Sequence, residues 1–318
     1  MGLVENTEVI KTQVNQMKTQ LSLPVSTPLV EVTAKVQPAG DYFIKNLPEG
    51  DTSNFKSIQS WIKELPEIDV RDMSGLSETF KDCVSLTKPP KLINLDSSPS
   101  LRSTFMNCTN ITEVDFNAMG FENILIGSAT DTFSGCTKLT TVKNLNFKDS
   151  VDLTGLFDGC TSLVTIEPKI NLGKISNNAN RCFKNCSSLI EDPCTSYFKN
   201  ANSAAEFFYG CSKLKSVRFF EGKYLYYAYS AFQGCSSLER VESIIFGTYI
   251  YNINDLFNGC TSLKYINFKD TDLTRASYYT NMFVGVPLDC EIIVKDEANK
   301  QFVLERQPGF TNVKVVAV

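Results

Sequence analysis

The chain has 318 residues, 42 % hydrophobic and 21 % charged, with a net charge of −4 and a pI of about 5.2. That length allows one large core or two to three modest domains, and the charge balance offers no basic excess for nucleic acid or an acidic membrane surface. There is no histidine, which removes the commonest general base and transition-metal ligand, and with them every Ser-His-Asp or Cys-His arrangement.

The N-terminal Met1-Gly-Leu-Val-Glu-Asn-Thr-Glu8 lacks a basic stretch followed by a long apolar run, so no secretory signal is expected. No apolar run approaches the roughly 18 residues of a membrane span, and no membrane insertion is expected. The chain is expected to be made in a cytoplasm and to reach the outside as part of a larger particle. Within residues 1–23, Leu3, Thr7, Ile10, Val14, Met17 and Leu21 are spaced 4, 3, 4, 3, 4. This heptad seam predicts a helical coiled-coil segment, trimeric or dimeric, built on Leu3, Ile10, Val14, Met17 and Leu21. The alternative is an amphipathic helix docked on its own domain. Pro24 and Pro28 end the helix.

Residues 24–73 read as a linker and N-terminal cap. Leu29–Val36 reads as a strand. Ser57–Leu65 reads as a short helix, with Ile58, Trp61, Ile62 and Leu65 on one face. A solenoid whose first rung is open needs such a cap.

From residue 74 to 290 one motif recurs. Its copies are Phe80-Lys-Asp-Cys83-Val-Ser-Leu86, Phe105-Met-Asn-Cys108-Thr-Asn-Ile111, Phe133-Ser-Gly-Cys136-Thr-Lys-Leu139 and Phe157-Asp-Gly-Cys160-Thr-Ser-Leu163. Phe183-Lys-Asn-Cys186-Ser-Ser-Leu189, Phe208-Tyr-Gly-Cys211-Ser-Lys-Leu214, Phe232-Gln-Gly-Cys235-Ser-Ser-Leu238 and Phe257-Asn-Gly-Cys260-Thr-Ser-Leu263 follow. A degenerate copy, Phe283-Val-Gly-Val286, replaces the cysteine by valine. Successive cysteines lie 25, 28, 24, 26, 25, 24 and 25 residues apart, a solenoid period.

The residue before each cysteine is Gly, Asn or Asp, the types that tolerate the left-handed conformation. That predicts a short helical turn ending there. The Leu-x-x-Val/Ile that follows predicts a short strand beginning at the leucine, as in Leu139–Val142 and Leu263–Phe268. The motif resembles the BspA-type leucine-rich repeat. The resemblance implies an α/β solenoid, a leucine-rich-repeat-like stack of about eight repeats of 24–28 residues. Each repeat would carry one short parallel strand and one helical turn. It also implies a role among bacterial surface adhesins, protist surface proteins or phage virion proteins.

A residue recurring once per rung forms a column about 4.8 Å apart. Cys83, Cys108, Cys136, Cys160, Cys186, Cys211, Cys235 and Cys260 are therefore read as a buried packing ladder, since free cysteine behaves as a small hydrophobe and Val286 substitutes for it. Ladder disulfides are geometrically possible, but the odd count of eleven and the missing export signal argue against them. Cys182, Cys194 and Cys290 lie outside the ladder and receive no role.

Tyrosines concentrate late in the solenoid. Tyr224 and Tyr249 both lie eleven residues before their repeat cysteine, and Tyr226 and Tyr251 nine before, so each pair is expected to stack. Tyr278 and Tyr279 continue the bias. Tyr224, Tyr226, Tyr249, Tyr251 and Tyr278 form the candidate binding surface, with flat apolar rings and hydroxyls suited to a sugar or a protein. The alternative is that they pack against a cap, a sister subunit or each other.

Residues 291–318 read as a C-terminal cap: strand, helix over Glu297–Arg306, strand. The phrase from Ile292 to Val316 resembles the closing segment of repeat proteins encoded in phages and prophages of Gram-positive bacteria. No Walker A, GxGxxG, GxSxG or EF-hand loop occurs, and no carboxylate pair stands out. The reading is a non-enzymatic protein without cofactor or metal. It would be a virion component that self-associates through its N-terminal helix, contacts other virion proteins and presents the solenoid for host attachment or particle decoration. Its ligand would be a host-surface glycan or protein, with no nucleic acid. The alternative is a bacterial or protist cell-surface adhesin domain.

Overall fold

A computed structural model describes residues 63–316 apart from 66, 72–74, 149–150, 175–177, 197 and 199. The coiled-coil segment, the strand over 29–36 and nearly all of the helix over 57–65 lie outside the described residues.

The chain winds as a parallel β-solenoid. Its strands are β1 (Ile68–Asp69), β2 (Leu92–Ile93), β3 (Glu113–Asp115), β4 (Thr141–Lys143), β5 (Thr165–Glu167), β6 (Ser216–Val217), β7 (Phe220–Glu221), β8 (Arg240–Val241), β9 (Ile244–Ile245), β10 (Tyr265–Phe268), β11 (Glu291–Val294) and β12 (Val313–Val315). Among the described residues every pairing is parallel. One side carries β1-β2, then β3-β4-β5, then β6-β8-β10-β11-β12. β7-β9 belong to a second side. Single bridges such as Asn178↔Ser203↔Tyr227↔Asn252↔Tyr278 run down a third.

Between β5 and β6 the rung through Leu189 forms no strand. There Asp192 spreads its carboxylate between rungs, accepting Cys194 N at 3.0 Å and Arg218 N at 3.0 Å, while Pro193 has no N–H to offer. Burial raises the Asp192 carboxyl above its usual range against those two bonds.

The turn before each cysteine is not helical, contrary to the expectation. Ser134 N bonds Asp131 O and Cys136 N bonds Phe133 O within the rung. The intervening N–H groups leave it: Asp131 N bonds Thr154 O, Phe133 N bonds Leu156 O and Gly135 N bonds Asp158 O, at 2.7–3.0 Å on the next rung. Two left-handed residues per rung aim alternate peptides this way. One precedes the cysteine, as at Asn107 (φ 60°) and Gly135 (φ 75°). The other lies four residues earlier, at Glu78, Ser103, Asp131, Gly155, Arg181, Glu206, Ser230, Asp255 and Asn281 (φ 51–65°). The stack supplies a carbonyl at every level, and that outcompetes the i−4 bond an isolated helix would make.

The strand also begins later than expected. Leu139 N bonds Cys136 O at 3.1 Å and Leu263 N bonds Cys260 O at 3.3 Å, so each leucine is a buried corner and the strand opens two residues on.

The core is a column of phenylalanines. Phe80, Phe105, Phe133, Phe157, Phe183, Phe208, Phe232, Phe257 and Phe283 stack rung on rung with centroids 5.2–6.4 Å apart and planes within 4–26°. Offset stacks of this kind are worth about 0.5–1.5 kcal/mol per pair beyond the area they bury. At the C-terminal end, helix α1 (Glu297–Arg306) sits between β11 and β12, capped by Asp296. Buried Asn299 accepts Leu273 N at 2.6 Å, and Phe302 meets Tyr279 at 5.2 Å.

Candidate recognition surface

Three columns carry chemistry: the cysteines, the charged sheet side and the tyrosines. All eleven cysteines are free, ten buried and Cys194 half-buried. In the ladder every thiol after Cys83 donates to the carbonyl of the phenylalanine one rung earlier. Cys108 Sγ reaches Phe80 O at 3.0 Å, Cys160 reaches Phe133 O at 3.1 Å and Cys260 reaches Phe232 O at 3.0 Å. Cys136, Cys186, Cys211 and Cys235 repeat the bond at 3.0–3.2 Å. The same carbonyl also accepts the cysteine N–H of its own rung, so both lone pairs are used. Burial pushes the Cys136 thiol up to about 12 and raises Cys108, Cys160, Cys186, Cys211, Cys235 and Cys260 as well. A thiol held protonated is neither nucleophile nor metal ligand. Among the described residues no group of three or more Cys, Asp or Glu is placed to hold a metal ion.

The sheet side is polar and self-neutralising. Glu67–Lys91, Glu113–Lys143, Glu239–Lys264 and Glu291–Lys314 pair across adjacent rungs at 2.5–2.7 Å. Arg240 lies over the Tyr265 ring at 4.2 Å. On the turn side Arg181 bonds Asp158 at 3.1 Å and reaches past Gly155 toward Asp131 at 3.8 Å. An added Cβ at Gly155 would meet the Asp131 carboxylate, which would have to move. Exposed pairs of this kind contribute about 0–1 kcal/mol each.

The tyrosines differ. Among the described residues eleven large hydrophobic side chains are exposed, and six of them are Tyr224, Tyr227, Tyr229, Tyr249, Tyr251 and Tyr278, all on three consecutive rungs. The inner row is Tyr227–Tyr251–Tyr278, with centroids 5.5 and 5.0 Å apart and planes tilted 65° at each contact. This corrects the expected stacks. Tyr226 and Tyr251 are backbone neighbours, since Tyr251 N bonds Tyr226 O at 2.8 Å. The Tyr226 ring, however, is half-buried against Gly247, where an added Cβ would come within 2.9 Å of it. Among the described residues no ring contact joins Tyr224 to Tyr249. Tyr249 projects alone and is 75 % exposed, while Lys223 lies 5.7 Å from the Tyr224 ring.

Counting from the cysteine missed Tyr227. The bridged column lies eight residues before the cysteine position, at Tyr227, Asn252 and Tyr278, and Tyr251 enters from position nine. Asn252 accepts Asn254 N at 2.9 Å through its side chain, and the ring on this rung comes from Tyr251. Tyr279 belongs to the cap, where Arg306 stacks on its ring at 4.3 Å. The charges beside the face are spent locally: Arg275 bonds Asp272 at 2.9 Å and Thr248 O at 3.3 Å.

The family model for a BspA type leucine rich repeat region matches six copies over residues 76–198, 101–239 and 180–292. Among solved structures, a leucine-rich repeat protein from Bacteroides ovatus ATCC 8483 is similar at 17 % identity and TM-score 0.32, covering 80 % of this chain and 85 % of that one. A leucine rich cell surface protein from Faecalibacterium prausnitzii A2-165 is similar at 14 % identity and TM-score 0.29, covering 80 % of each. No curated protein matches.

Proposed function

The chain belongs to the BspA-type leucine-rich repeat family, and from that premise we propose that it is a non-enzymatic recognition protein of the surface-adhesin kind, binding a protein partner through its tyrosine face. The observation that carries this is the six exposed tyrosines on three consecutive rungs. With Asn202, Asn252, Asn254 and Thr280 beside them, they give the composition of a protein-binding paratope: rigid amphipathic rings with adaptable polar neighbours. A monomer rarely leaves such a patch uncovered without use. The 65° tilts leave the inner row without one flat stacking plane, which suits an irregular protein surface better than a flat sugar.

The test is binding of the purified domain to immobilised surface proteins from bacterial and epithelial cells. The Tyr224→Ala/Tyr249→Ala/Tyr251→Ala variant is measured beside the parent. Binding by the parent alone, at equal melting temperature, is expected; equal binding by both overturns the reading.

A virion role is the second reading. The heptad seam of residues 1–23 and the closing phrase after Cys290 favour it, and the same tyrosine face would then meet the host. Removing residues 1–23 should turn a dimer or trimer into a monomer in light scattering; an unchanged mass removes the coiled coil from this reading.

A further inference from the structure

Oxidisable side chains divide between inside and outside. The thiols are buried or half-buried, and burial holds those from Cys108 to Cys290 protonated, which makes them slow toward oxidants. Met119 and Met282 are buried and Met106 is half-buried. What an oxidant meets first on the described surface is phenol.

Among the phenols, one pair is closest. Tyr251 and Tyr278 have ring centroids 5.0 Å apart, against 5.5 Å for Tyr227 and Tyr251. Their backbones are tied, with Tyr278 N on Tyr251 O at 2.9 Å and Asn252 bridged to Tyr278. Both rings are more than 40 % exposed. The neighbouring Tyr278 hydroxyl raises the Tyr251 phenol above its ordinary range. At 5.0 Å between centroids, with planes tilted 65°, the two rings are in edge contact.

We propose that Tyr251 and Tyr278 are an oxidative modification site, joined within one chain as dityrosine by a peroxide-driven haem peroxidase. One hydrogen peroxide removes one electron and one proton from each phenol and is reduced to two waters. The two phenoxyl radicals couple through a new C–C bond between carbons ortho to the oxygens. The two hydrogens displaced from those carbons return to the oxygens, so the chain loses two hydrogens in all. The link ties two rungs beside the cap, covalent closure that eleven buried or half-buried free cysteines do not supply. It needs no partner, and stands whether or not the tyrosine face binds one.

The experiment treats dilute full-length protein with horseradish peroxidase and limiting hydrogen peroxide, then reads dityrosine fluorescence and tryptic masses. Residues 224–240, 241–264 and 276–295 fall on separate peptides, so the three rungs are told apart by mass, and fragment ions separate Tyr251 from Tyr249 and Tyr278 from Tyr279. A species joining 241–264 to 276–295, two hydrogens lighter than their sum, is expected on monomeric protein. Tyr278→Phe should lower the yield severalfold, Tyr227→Phe should leave it nearly unchanged, and urea unfolding should abolish it. Cross-links only between chains, a different dominant peptide pair, or an undiminished yield in Tyr278→Phe would each overturn the site.

Discussion

The cysteine ladder and the tyrosine rows are both features of one position per rung, and they behave oppositely. The ladder recurs with one geometry in rung after rung, thiol to the preceding phenylalanine carbonyl at 3.0–3.2 Å. The tyrosines occupy three rungs, slip by one residue between them and face outward. A position that every rung holds alike answers to the stack, since each rung must fit its neighbours. A position that changes from rung to rung is released from that constraint and free to serve recognition.

The largest test of the contrast is alkaline unfolding. A thiol whose folded pKa is raised above the ordinary 9.0 keeps its proton in the native state while the unfolded chain loses it. Its stabilisation is therefore whole below pH 9 and lost as pH rises toward the folded value, at about 1.4 kcal/mol per pH unit for each such thiol. With the ladder summed, circular dichroism should show cooperative unfolding soon above pH 9. Replacing Cys136, Cys160 and Cys211 together by valine should move that midpoint upward.

Next comes the inner stack: Phe157→Ala should cost about 3–5 kcal/mol in urea denaturation. Cys160→Val, which keeps the volume and loses the S–H donor, should cost only about 1 kcal/mol, because Phe133 O retains its N–H partner. In the native parent, ladder thiols should resist iodoacetamide, and rapid labelling of Cys160 would contradict its burial. Smallest is the outer row: Tyr249→Ala with Tyr251→Ala should change stability by less than about 0.5 kcal/mol. A larger loss would make these rings packing elements.

The repeat, its parallel strands and the cysteine column were legible because period and residue type both point to them. Three features were not. Glu78, Arg181, Glu206 and Ser230 adopt left-handed backbone although none is a residue type that signals it. Only the carbonyls of the next rung make that conformation worthwhile. The helical reading of the turn failed for the same reason, since its alternate N–H groups find acceptors that no local window contains. The pairing of Tyr227 with Tyr251 crosses two register positions, eight and nine before the cysteine, which the stacking of like positions does not anticipate.

The thiol-to-carbonyl bond also has a direction in time. Phe133 O waits for Cys160, and Asp131 N and Phe133 N wait for carbonyls of residues 154–156. Each rung is thus completed by the one made after it. A ribosome delivers the chain in the order in which these bonds can close, so a nascent chain carries a single open level at its leading edge. Val286, with no S–H to give, leaves the Phe257 carbonyl to Cys260 N alone, where the sequence of closures hands over to the terminal helix.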